Sequence, residues 1–160
     1  MTYELKLTQS KAYIKSALFI AANIALPHLF HLIPGGGVMF LPIYFFTLVA
    51  AMRYGWQVGL LTSIMTPVLG CLLFSAPAFA LVPDMLLKGA LLVGVAYFTK
   101  KHLGCNLVSN IITVAAAFAL AEILEWSFLG ANIAFQDFVT GLPGMGMMIL
   151  GSWLINKYIK

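Results

Sequence analysis

NLVSNIITVAAAFALAEILEWSFL, residues Asn106 to Leu129, decides what kind of protein this is. No charged residue occurs between Asn106 and Ala121. At about 1.5 Å per residue a helix of this length crosses the roughly 30 Å hydrocarbon core of a bilayer. The apolar run is continuous and does not alternate with polar residues, so it reads as a spanning helix and not as a barrel strand.

Working outward, five more segments read the same way. The first span covers about Ala12 to Ile33 and is broken by Pro34-Gly35-Gly36-Gly37, since a proline disfavours helix in its predecessor and glycines favour open turns. The second runs from about Val38 to Met52, with Pro42 near its start. After the turn Arg53-Tyr54-Gly55 the third runs from Trp56 to Phe74. Ser75 to Pro83 is a Pro-punctuated loop. The fourth span is about Asp84 to Thr99, the fifth is the opening stretch, and a loop from Gly130 to Gly141 leads to the sixth, about Leu142 to Ile159. The reading is an all-α integral membrane protein, one domain over residues 1–160 with six transmembrane helices. The polar first dozen residues carry no features of a cleavable signal.

Composition agrees. The chain is 62% hydrophobic, has a mean hydropathy of +0.99, and only 9% of its residues are charged. Soluble domains carry about 25% charged residues, so a soluble enzyme, a nucleic-acid binder and a disordered chain are excluded as readings. Nine Lys and Arg against five Asp and Glu would suggest nucleic acid in a soluble protein. Here their placement explains them. With six spans, Lys6, Lys11, Lys15, Arg53, Lys100, Lys101, Lys157 and Lys160 all fall on one side. The ninth, Lys88, lies one turn inside the fourth span. Positive charge marks the cytoplasmic face, so the orientation is N-in/C-in. Cys71 and Cys105 then lie at opposite faces and cannot pair.

The remaining polar residues concentrate in the other half: His28, His31, Asp84, Lys88, Glu122, Glu125, Trp126, Asn132, Gln136 and Asp137. Charge inside a bilayer is costly and faces a cavity or a partner, so an outward-facing polar pocket is expected there. Asp84 and Lys88 are spaced i, i+4 and can pair on one helix face. Lys88 can also point inward to a ligand or to Glu122, which lies about a turn deeper than Glu125. Glu122 and Glu125 share a helix face and can bind a cationic or amine-bearing heterocycle, or share a proton. Trp126 fits either an aromatic belt or ligand stacking. His28 and His31, with Cys71, are a weak metal signal, and no metal is expected. The glycine run lacks the Lys-Ser/Thr of a nucleotide loop, and no hydrolytic constellation is present, so no enzyme activity is expected. Ala17, Ala21 and Ala25 recur every fourth residue, a spacing that lets another helix approach closely in lipid.

With these features the whole chain resembles the substrate-binding S-components of energy-coupling factor (ECF) vitamin transporters. The alanine stripe resembles the family's docking stripe on the first helix. The stretch IPGGGVMFLPIYFFTLVAAMRYGWQVGLLTSIMTP resembles its glycine-containing first loop, Pro-interrupted second helix and glycine-containing third helix. The resemblance implies a bacterial plasma-membrane protein that binds a vitamin or vitamin-like molecule near its outer face, with no covalent cofactor. Lys88, Glu122, Glu125, Trp126, Asp84, His31, Gln136 and Asp137 would line the site. Gly35, Gly36, Gly37, Pro77 and Pro83 would sit in gating loops. Ala17, Ala21 and Ala25 would dock on an ECF T-component, which works with two ATPase subunits. A small ion-coupled carrier using Glu122 and Lys88, or a membrane enzyme using His28 and His31, are the competing readings.

Overall fold

A computed structural model describes residues 4–30, 42–129 and 131–158. It is an all-α bundle, and no strand occurs among the described residues. The helices are α1 (Ser10–Phe30), α2 (Pro42–Tyr54), α3 (Trp56–Phe74), α4 (Val82–Leu103, entered through a 3-10 turn at Phe79–Leu81), α5 (Leu107–Leu129) and α6 (Ala131–Tyr158). Four segments are long and apolar enough to cross a membrane: Trp56–Phe74, Phe79–Leu103, Leu107–Ser127 and Phe135–Tyr158. The chain is therefore an all-α membrane protein.

The short helix α2 is the hub. It packs against α1, α3, α4 and α6, and its residues Thr47 to Met52 are all buried. A helix that is apolar on every side has no face to give to water, and α2 accordingly takes the centre. Tyr44, Phe45, Leu48 and Met52 meet Leu92 and Ala96 of α4, Val114 and Phe118 of α5, and Met148 of α6 in one core. Gly55 makes the turn into α3 possible, since its φ of +99° is a conformation that side chains resist.

Polar side chains bind the helices where apolar contact alone has no hydrophobic drive in lipid. Asn23 of α1 is fully buried. Its Oδ1 accepts from the Phe46 backbone N–H at 3.0 Å, and its Nδ2 donates to Thr47 Oγ1 at 3.1 Å and Thr66 Oγ1 at 3.4 Å. One side chain thus ties α1, α2 and α3. Toward the other side of the bundle, Thr99 of α4 and Thr113 of α5 share a 2.5 Å hydrogen bond, and Asn110 of α5 donates to Ser152 of α6 at 2.6 Å. Asn106 caps α5, its Oδ1 accepting from the Ser109 N–H at 2.8 Å.

The termini of the described chain meet at one end. Leu5 is buried, although it lies in a polar segment, and its N–H donates to the Tyr54 carbonyl at 2.8 Å. Arg53 Nη1 donates to the Asn156 carbonyl at 3.3 Å. Eight of the nine basic residues belong to the segments that converge here or continue from them.

Several boundaries differ from the sequence reading. The expected loop from Gly130 to Gly141 is helical from Ala131, and its polar residues occupy the first turns of α6. Of these polar residues Asp137 is held by an ion pair with Lys88, and Gln136 is exposed on the helix. The fourth span, expected over 84–99, extends from Val82 to Leu103. Its last turn takes Lys100, Lys101 and His102, where positive charge complements the helix dipole. Pro83 sits in its first turn, where a missing N–H costs least. The first helix begins at Ser10, ahead of the expected Ala12, and the second is described over Pro42–Tyr54, its expected start at Val38 lying outside the described residues.

Replacing Asn23 with Ala strands three groups at once. Thermal unfolding of the detergent-solubilised protein should show a loss of about 1–3 kcal/mol, against a smaller loss of about 1 kcal/mol for Thr66→Val, which removes the longest of the Asn23 bonds and the Thr66 hydroxyl's local bond to the Thr62 carbonyl. Equal, negligible losses would contradict the clamp.

Candidate functional site

At the opposite end, four of the chain's five acidic residues converge on one lysine. Lys88 projects from the second turn of α4, and its side chain is 6% exposed. Its Nζ lies 2.5 Å from Glu125 Oε1 of α5, 2.6 Å from Asp137 Oδ2 of α6 and 3.3 Å from Asp84 Oδ2 one turn back on α4. The Glu125 side chain is as buried as the lysine, whereas Asp84 and Asp137 are about one third exposed. Three helices are joined through a single ammonium. Of the three carboxylates, Asp137 takes a hydrogen bond from that ammonium, and Glu125 and Asp84 meet it as ion pairs.

Glu122 completes the group. Its Oε2 is buried and has no hydrogen-bond partner among the described residues. Glu122, Glu125 and Asp137 each offer an oxygen within 4.8 Å of the others. Hard oxygen donors of this kind suit an ammonium or a hard metal ion. Glu125 and Asp137 lie in direct ion pairs with Lys88, whereas Glu122 makes none among the described residues. With every acid ionised, four carboxylates face one ammonium, and three negative charges are in excess.

Tyr44 of α2 forms the floor. It is buried, donates through its hydroxyl to the Met85 carbonyl at 3.5 Å, and packs edge-on against Phe118 with ring centroids 5.9 Å apart. Its hydroxyl lies in the field of Asp84, Asp137 and Glu125. Sequence reasoning missed it because FLPIYFF reads as plain core; the single hydroxyl in that run was the available signal. Close beside Lys88, Gly89 lets α3 and α4 touch, because a Cβ there would overlap Ser63 Oγ.

The structure sorts the sequence-derived residues. Asp84, Lys88, Glu122, Glu125 and Asp137 come together. The α5 partner of Lys88 is Glu125 and not the expected Glu122, because Glu125 is the buried one of the two. Trp126 is 62% exposed on the outside of the bundle, where a belt residue sits. Gln136 is exposed as well, and its backbone carbonyl accepts from Thr140 Oγ1. Pro77 is half-buried and Pro83 exposed, both in or beside the α3–α4 connection. His31, Gly35, Gly36 and Gly37 lie outside the described residues, as do the side chains of His28 and Asn132. Cys71 and Cys105 are both free thiols.

Lys88→Met leaves Glu125 as a buried, unpaired charge and should cost about 3–5 kcal/mol. The double variant Lys88→Met, Glu125→Met should recover most of that loss. A double-variant stability equal to the sum of the two single losses, measured by thermal unfolding, would show that the pair does not couple.

Comparison with protein-family models, with curated proteins and with solved structures finds no match to this chain.

Proposed function

We propose that this chain is a membrane-embedded binding subunit for the uptake of a vitamin or vitamin-like small molecule. In this reading it has six spans with both termini in the cytoplasm of a bacterium, and works with an ECF T-component and two ATPases that hydrolyse ATP. The single observation that carries the reading is the Lys88 cluster. Ionisable groups buried in a membrane bundle are expensive and mark a ligand or an ion path. Three excess negative charges are balanced only by protons or by a cationic ligand, so the favoured ligand carries a protonated amine or a cationic ring. Glu122 is the residue we assign to that cation, with Asp84 and Asp137 on the open rim. Pro77 and Pro83 lie in the connection next to this end, as a gate would require.

Exposure of the alanine stripe supports a docking role. Ala12, Ser16, Ile20 and Asn23 form the buried face of α1, while Ala17, Ala21 and Ala25 are exposed beside it. Packing against neighbouring helices of the bundle therefore does not use up the stripe, and a partner helix can reach it. A second reading, a small ion-coupled carrier working alone, is favoured by one observation: Glu122 Oε2, without a hydrogen-bond partner among the described residues, can take up and release a proton.

Thermal stabilisation of purified protein by a panel of vitamins and precursors tests the binding role. Cationic and amine-bearing members should raise the midpoint with submicromolar affinity, and Glu122→Gln should weaken binding by tenfold or more, about 1.4 kcal/mol. A flat response across the panel, combined with counterflow in liposomes lacking ATPases, would favour the carrier. Ala21→Trp should leave ligand binding unchanged and abolish co-purification with a T-component; impaired binding with normal co-purification would remove the docking assignment.

A further inference from the structure

Residues Glu4 to Gln9, ahead of α1, cross the end of the bundle far from the ion cluster. Of residues 4–10 only Leu5 is buried, at 3% exposure, and its neighbours on both sides face outward. Leu5 fills the point where three helices meet, against Ala12 of α1, Ala50 of α2 and Val58 of α3, none of which is exposed. Two backbone donors fix the segment. The Leu5 N–H donates to the Tyr54 carbonyl at 2.8 Å, and the Leu7 N–H donates to Gln57 Oε1 at 2.7 Å. Between these bonds Glu4 lies across Gly55, where a Cβ would come within 3.3 Å of Glu4 Cγ. The α2–α3 turn thus offers the segment an acceptor, a bare backbone and a second acceptor in succession. The chain then turns into α1, the Gln9 N–H donating to the Lys6 carbonyl at 2.9 Å.

Such a strap is held at few points. One buried side chain and two hydrogen bonds stand against the conformational freedom of six residues whose other side chains already face outward. Segments with so few buried contacts open locally, at less than the cost of global unfolding. The position of α1 does not depend on the strap. The Asn23 clamp and the Phe19–Tyr54 ring contact, with centroids 5.7 Å apart, hold that helix on α2 and α3.

What lies behind Leu5 is polar. One turn along α1 from Ala12, Ser16 is 1% exposed, and its Oγ has no hydrogen-bond partner among the described residues. One turn along α3 from Val58, Thr62 is fully buried; its hydroxyl donates to the Val58 carbonyl at 2.8 Å and keeps an oxygen that can accept. Asn23, Thr47 and Thr66 continue the strip. A seam lined by hydroxyls gives entering water partners that an apolar core would not.

We propose that residues 4–9 form a gate, with Leu5 as its plug, over a polar seam between α1, α2 and α3. Detachment of the strap admits water as far as Ser16 while the helices stay in place. The gate stands at the opposite end from the Lys88 cluster and does not depend on any ligand there.

The test is thiol accessibility of the full chain in detergent. Cys71 and Cys105 are replaced by Ala, Ser16→Cys supplies the only thiol, and the probe is a charged methanethiosulfonate. The introduced thiol should react slowly, and Leu5→Ala should speed the reaction at least tenfold. Leu7→Ala, which truncates an exposed side chain and keeps its N–H, should change the rate less than twofold. Equal rates in the Leu5→Ala and Leu7→Ala chains overturn the gate. Should Ser16→Cys or Leu5→Ala not fold, amide hydrogen exchange of the parent decides. The Leu5 and Leu7 amides should exchange together and at least tenfold faster than those of Leu48 and Val49, which are fully buried in α2. Protection equal to that of α2 overturns the strap as a detachable element.

Discussion

A lysine ammonium buried in an apolar bundle must be met by negative charge, and much of this structure follows from that requirement. Lys88 is buried, and carboxylates meet it: one from its own helix, one from α5 and one from α6. The strongest interactions are those least exposed, because screening is weakest there. The Lys88–Glu125 pair is buried on both sides, whereas Asp84 and Asp137 sit on a rim that a ligand can reach. The ion pair also explains why polar residues open α6 as a helix. Asp137 has a partner, and its neighbours Asn132 and Gln136 need no loop to carry them.

The same logic separates the two ends of the molecule. Acid collects around Lys88, and base collects around Arg53 and Lys100. Between them, the Asn23 clamp and the Thr99–Thr113 and Asn110–Ser152 contacts provide directional bonds where surrounding lipid is as apolar as the side chains it would displace. The bundle is thus held by a few specific polar contacts within a large apolar fill. Its charges lie where they can be paired or can meet something from outside.

Much of this was legible along the chain because lipid imposes a simple rule. Unbroken apolar runs must be helices, and the third and fifth segments were read almost to the residue. The i, i+4 spacing made the Asp84–Lys88 pair legible, since it needs only local geometry. The pairing of Lys88 with Glu125 was not, because three residues on α5 separate a buried carboxylate from a half-buried one, and only the rotation of α5 against α4 decides which turns inward. Asp137 was misplaced in a loop for the same reason: a charged residue and an exposed residue look alike until the partner, 49 residues away, is known.

By itself, then, the sequence determined the environment, the helical class and the segregation of charge, because these depend on composition and on spacing within a single helix. Tertiary structure decided what each polar group meets. It made α2 the hub, left the alanine stripe of α1 uncovered, brought Tyr44 under the acid cluster and buried Lys100. Those outcomes depend on the rotation and depth of one helix against another. Packing density and the need to pair every buried charge set these angles, and no single segment carries them.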